Sequence, residues 1–246
     1  MQPGTSQANA LDLSDRLLTA LPRSLWQNTT LRRLNLFRNR LNKLPPRIAE
    51  LKMLHVLIVA NNRLRDLPEE LGALRHLRML DAGHNQISSL PVSFRKLSSL
   101  TDYLYLHDNR LSFLDDSVFE RFVHLRYLNL GENPLRALPA SMAALVKLED
   151  LRLENVGLET LPEFVANLSM LDELALRNNR LAGLPDSFGK LRKLHNLDLR
   201  GNRFTRIPEV LRTLSKLHKL DLRWNDLHRF PSWLRELRNR GCRVLL

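Results

Sequence analysis

The side chains able to do chemistry are few and scattered. His84 and His107 carry Asp81 and Asp108 close by, and neighbouring strands lie about 4.8 Å apart, so two imidazoles on adjacent strands could approach ligand distance. A metal site needs more ordered ligands and an outer shell that orients them. This pair therefore reads as two surface histidines, and no metal is expected. Cys242 is the single cysteine. It reads as a small buried filler, and it excludes an internal disulfide. No G-x-S-x-G, phosphate-binding loop, H-E-x-x-H or paired C-x-x-C motif occurs. No cofactor is expected, and no enzyme.

What repeats is a frame that would position side chains. In Leu194 to Pro208, LHNLDLRGNRFTRIP, apolar residues fall at Leu194, Leu197 and Leu199, then Asn202, then Phe204, Ile207 and Pro208. The same spacing returns at Leu171–Pro185 and at Leu217–Pro231. A fixed period of about 20–30 residues signals a stacked solenoid. Alternation at Leu197 and Leu199 predicts a short strand with one face buried. An inward asparagine predicts a bend, where backbone groups satisfy its amide. Leu211, Leu214 and Leu217 are three apart, which predicts a 3₁₀-like return, with proline at its entry where no amide partner is needed. One unit cannot bury its own leucines, so neighbours must stack.

The frame covers most of the chain. Residues 1–9 read as a polar tail, 10–240 as about ten repeats and 241–246 as a final capping strand paired near Leu220–Leu222. The asparagine column holds Asn39, Asn62, Asn85, Asn109, Asn133, Asn179, Asn202 and Asn225. Arg16 replaces it in the degenerate first unit and Val156 breaks it later, with Asn155 one place early and facing solvent. The period slips by one before Asn109. It slips again in FLDDSVFERFVHL, where Asp115 stands in place of proline and Phe119 and Phe122 lie on the return. A local change of curvature is expected there.

The pattern L-x-x-L-x-L-x-x-N-x-L-x-x-L-P resembles the leucine-rich repeat superfamily, in its LP-type class of about 23 residues. That class includes Ras-suppressor-like, Scribble-like and bacterial effector-type repeat domains. The resemblance implies an α/β right-handed solenoid, a horseshoe with a parallel concave sheet and short helical or 3₁₀ convex segments. It also implies a protein-binding module. A recognition domain of a larger signalling protein or secreted effector is the alternative, although the length leaves no room for a separate catalytic domain.

On such a frame the exposed strand residues form columns across the concave face. One end is apolar and aromatic: Phe37, Val56, Ile58, Met79, Tyr103, Tyr105 and Tyr127. Exposed apolar groups gathered on one face mark interaction sites, and tyrosine, tryptophan and arginine are enriched hot-spot types. The other end has Arg177, Arg200 and Arg223 in one column, Asp198 and Asp221 in the next, and Trp224 beside them. The arginines are expected to take carboxylates bidentately, hence a protein partner with an acidic surface. Arg200 is expected to matter little for stability.

The formal net charge is +12. A nucleic acid would require basic and aromatic residues to interleave along one groove, and here they lie at opposite ends, so a nucleic-acid partner is the weaker alternative. The N-terminus lacks a basic segment followed by an apolar run, and no apolar run reaches the ~20 residues of a membrane span. With one cysteine, these features predict a cytoplasmic protein or a delivered effector.

Overall fold

A computed structural model of the chain describes residues 9–246. The polar tail, apart from Asn9, lies outside the described residues. Eleven three-residue strands form one parallel sheet in strict sequence order. They are β1 (Ala10–Asp12), β2 (Arg33–Asn35), β3 (Val56–Ile58), β4 (Met79–Asp81), β5 (Tyr103–Tyr105), β6 (Tyr127–Asn129), β7 (Asp150–Arg152), β8 (Glu173–Ala175), β9 (Asn196–Asp198), β10 (Lys219–Asp221) and β11 (Arg243–Leu245). In each repeat strand the central leucine faces the core, and these leucines pair in register: Leu34 with Leu57, Leu57 with Leu80, Leu197 with Leu220. The outer two residues of each strand point the other way, because strand side chains alternate.

Eight return segments are short 3₁₀ helices, each preceded by proline in extended conformation. The three-residue leucine spacing has a direct backbone cause. Leu211 N–H donates to Pro208, Leu214 to Leu211 and Leu217 to Leu214, a chain of tight turns that returns each leucine to the core. The segment of Asp115 to Arg121 lacks the proline and folds as turns instead. There the Asp115 carboxylate accepts the Ser117 N–H at 2.9 Å and so starts the turn. Phe119 and Phe122 fill the widened core with ring centroids 5.8 Å apart, and Phe122 meets Phe94 at the same distance. The two one-residue slips are absorbed outside the sheet, for Met79 pairs with Tyr103 and Tyr103 with Tyr127 without a break.

All eight asparagines of the column make the same bonds. In Asn202 the amide nitrogen donates to the Leu176 carbonyl of the preceding unit at 2.9 Å and to Leu199 at 3.0 Å. Its oxygen accepts the Leu181 N–H at 3.0 Å. The side chain thus closes its own bend and ties it to the neighbouring unit. Asn85 and Asn225 make these bonds while only part-buried, against the expectation of full burial for every member. Where Val156 stands in the column, the Leu135 N–H has no side-chain acceptor and turns to the Asn133 carbonyl, and Arg136 takes a left-handed φ of 60°. Val156 itself is fully buried. Asn155 occupies the left-handed position ahead of the column and donates outward to Glu132, as its early place suggested.

The last unit is closed by features of its own. A short α-helix, α1 (Leu234–Asn239), buries Leu234 and Leu237, and Gly241 turns the chain at φ 88° into β11, which pairs with β10. The sequence pattern located the closing strand but not the helix. Cys242 is buried at that junction.

Replacing Asn202 by leucine strands an N–H and two carbonyls in the core. It is expected to lower the unfolding free energy by about 1–3 kcal/mol, whereas the exposed neighbour Arg203→Ala changes it by less than about 0.5 kcal/mol. Urea unfolding of the two variants measures the difference, and equal shifts would remove the ladder from the explanation.

Candidate functional site

Three columns of outward side chains cross the concave face: the first strand position, the third, and the residue two further on. They hold Arg33, Arg152, Arg177, Arg200, Lys219, Arg223 and Arg243 against Asp12, Asp81, Asp150, Glu154, Glu173, Asp198 and Asp221. The two signs are equal in number, so the positive excess of the chain lies off this sheet. Arg40, Arg63 and Arg110, each just after a column asparagine, are exposed and form no ion pair among the described residues.

At the centre of the face the register brings the aromatic side chains together. Tyr103 and Tyr127 are direct register partners on β5 and β6, and Tyr105 shares the face of β5. Their ring centroids are 5.5 Å (Tyr103–Tyr127), 4.8 Å (Tyr105–Tyr127) and 5.9 Å (Tyr103–Tyr105) apart. Tyr103 remains 45% exposed. Val56 and Met79 extend the first column toward β3, and Ile58 and Asp81 the second, all half-buried. Burial, seconded by the Asp150 carboxylate, pushes the Tyr127 phenol up to about 12. Burial and the nearby Asp81 carboxylate raise Tyr105 in the same direction. Both phenols therefore stay neutral donors throughout the physiological range.

Phe37 stands apart from this cluster. It follows β2 in the third column, with Ala60 and Gly83 between it and His107. His107 lies over Gly83, where any Cβ would come within 2.4 Å of the ring. The expectation of two independent exposed histidines fails. His107 is half-buried, its Nε2 lies 3.2 Å from Nε2 of His84, and His84 Nδ1 lies 2.6 Å from Asp108. Burial, and then the neighbouring His84, lowers the His107 pKa. Among the described residues no group of three or more histidine, cysteine, aspartate or glutamate side chains is placed to hold a metal.

The arginine column also differs from expectation. Arg177, Arg200 and Arg223 are in line, but each already has an acidic neighbour. Arg200 donates to Asp198 at 2.5 Å and lies 3.5 Å from Asp221. Arg223 donates to Asp221 at 2.7 Å and 2.9 Å. Arg177 stands 3.9 Å from Glu154. The side chain of Asp221 is only 1% exposed, so these arginines compensate an internal carboxylate before they can serve a partner. The sequence placed them correctly; their pairing depends on side-chain reach across two columns, which spacing does not encode.

Trp224 lies at the rim, 71% exposed, at a left-handed φ of 60°. Arg200 and Arg223 place their guanidinium carbons 5.7 Å and 5.5 Å from its ring centroid. A bulky side chain is uncommon at such a φ, and residues held there cost of order 1–3 kcal/mol. The flanking guanidinium groups offset part of that cost through the ring face.

A family model described as a leucine-rich repeat region matches residues 104–229, and one described as a leucine rich repeat matches residues 52–102. The chain belongs to the leucine-rich repeat family. Among solved structures it is similar to a leucine-rich repeat protein of Leptospira interrogans, at 30% identity and a TM-score of 0.89, covering 96% of this chain and 65% of that one. It is also similar to a TDR receptor, at 27% identity and a TM-score of 0.82, covering 98% and 43%. A chain of the Drosophila Toll–Spätzle complex matches at 25% identity and a TM-score of 0.81, covering 97% and 33%. The chain thus spans about two thirds of the first and under half of the others. No curated protein matches the chain.

The pairing of Asp221 sets an expected pH dependence. Burial works against its charge, but the hydrogen bonds from Arg223 and the positive charges of Arg223 and Arg200 together hold its carboxyl below the usual aspartate value. A depressed folded-state pKa contributes stability above the unfolded value of 3.8 and loses it as pH falls through the folded value. Arg223→Ala is expected to lower stability at pH 7 and to cost less near pH 3, where Asp221 loses its charge in the variant and the parent alike. Denaturant unfolding of both proteins at the two pH values measures it, and a cost independent of pH would contradict the assignment.

Proposed function

We propose that the chain is a protein-interaction module whose partner docks on the concave face, with affinity centred on Tyr103, Tyr105 and Tyr127. The observation that carries this reading is the tyrosine cluster, continuous with Val56, Ile58 and Met79 on a face that nothing in the described chain covers. Tyrosine supplies large rigid contact area at low entropic cost. The Drosophila match is to a chain of a protein–protein complex, which agrees in kind. A role as the recognition part of a larger signalling or effector protein is the alternative form of this reading. A cytoplasmic setting fits the single buried cysteine. The Arg177, Arg200 and Arg223 column, with the exposed Trp224, then meets the partner at the far end.

A nucleic-acid ligand is the second reading, favoured by Arg40, Arg63 and Arg110 along the lateral edge, which form no ion pair among the described residues. It would use that edge rather than the neutral concave sheet, and its binding would weaken steeply with salt.

With a partner recovered by cross-linking to the intact chain, Tyr105→Ala is expected to weaken binding by about 1–2 kcal/mol or more, chiefly through faster dissociation. Arg63→Ala on the lateral edge is expected to leave affinity nearly unchanged. Surface-capture kinetics read both. Binding that survives Tyr105→Ala and is lost with Arg63→Ala would overturn the concave-face reading.

A further inference from the structure

Asp81 is set apart from the other carboxylates of the concave face. Asp150 and Glu173 are bonded by Arg152, Asp198 by Arg200, and Asp221 by Arg223. Glu154 has Arg177 nearby. Asp12 is exposed and is satisfied by Ser14 and Asn35. Asp81 is half-buried, accepts the Gly83 N–H at 3.1 Å, and has no ion pair among the described residues. Its register neighbours are Ile58 on one side and Tyr105 on the other, and Met79 precedes it on the same face. The nearest titratable cations are imidazoles. His107 is kept neutral by burial and by His84, and His84 turns its Nδ1 to Asp108. A carboxylate in an apolar and aromatic setting is strongly disfavoured without a counter-charge, and desolvation raises its pKa accordingly.

We propose that Asp81 and the face of Tyr105 beside it form the docking point for a basic side chain of the partner, an arginine or lysine flanked by apolar residues. This rests on the concave-face reading and adds the partner's chemistry to it. The carboxylate supplies the charge that a guanidinium or ammonium needs. The tyrosine rings supply a π-face over which a cation is attracted. Ile58 and Met79 line the route along which the aliphatic stem of either residue packs. An arginine matches the arrangement best, because its planar fork both pairs with a carboxylate and stacks on an aromatic ring. The sheet as a whole is neutral, so the cation is recognised locally and not by a general attraction between surfaces of opposite charge. The site therefore selects a basic residue in an apolar stretch, where the arginine column alone had suggested an acidic partner surface.

The probe is a random twelve-residue peptide library displayed on phage and selected against the intact chain, with enriched peptides resynthesised and titrated by calorimetry. Arginine or lysine is expected at one fixed position between apolar residues. Asp81→Asn keeps an acceptor for the Gly83 N–H, so its melting temperature should stay within a few degrees of the parent. It is expected to bind the peptide at least tenfold more weakly. Replacing the peptide's basic residue by glutamine is expected to weaken binding to the parent chain to a similar degree and to Asp81→Asn hardly at all. That comparison does not depend on any stability change in the variant. Peptides that need Tyr105 but show no basic preference and bind Asp81→Asn equally well would overturn the cation site and leave the concave-face reading standing. Peptides indifferent to both Tyr105→Ala and Asp81→Asn would overturn both, and a library that yields no binder also counts against the cation site.

Discussion

A side-chain amide can satisfy an N–H and two carbonyls at once, and only asparagine is short enough to do so inside so tight a bend. Each column asparagine uses that capacity across a unit boundary: Asn62 donates to Leu36 in the preceding unit and accepts from Leu41, as Asn202 does with Leu176 and Leu181. The bend of one unit is thereby locked to the bend of the next. Strand register follows, because the leucines pair in only one alignment once the bends are fixed. The columns of the concave face follow from register. Without them Tyr103 and Tyr127 would not be neighbours, since they are far apart in the chain. Solenoid stability is a sum of unit and interface contributions, so the ladder adds to each interface along the stack.

The ladder also shows how the fold tolerates irregularity. Where Val156 replaces the asparagine, a backbone carbonyl takes over the orphaned N–H and a local left-handed turn absorbs the change. The two extra residues around Tyr103 and Tyr127 fall in loop and return segment, so the sheet is undisturbed just where the aromatic cluster sits.

Much of this was legible in the sequence. Leucine periodicity, the asparagine column and the proline entry fix which residues face in and which face out, and therefore the outward columns. Tyr103, Tyr105, Tyr127, Arg177, Arg200 and Arg223 lie in those outward columns for that reason. What could not be read was pairing between columns. Spacing does not reveal that Arg200 reaches Asp198, that Arg223 covers a nearly inaccessible Asp221, or that His84 and His107 touch. Spacing puts Asp81 near the two histidines but does not separate it from the other carboxylates of the face. Its importance arises by subtraction, once every other buried concave carboxylate is seen to have its cation. The helix α1 was missed because the last unit abandons the repeat, and six residues carry too little periodicity to announce a helix.

The chain contains three tyrosines, and all three lie in the concave cluster. Uniform labelling with 3-fluorotyrosine therefore puts every ¹⁹F resonance of the protein at the site in question. Titration with the bound partner is the most direct measurement. Docking on the tyrosine cluster makes all three resonances shift or broaden at saturation, with Tyr105 and Tyr127 losing access to a soluble paramagnetic quencher. Full binding with three unmoved resonances would contradict it and send the search for the interface to the lateral edges.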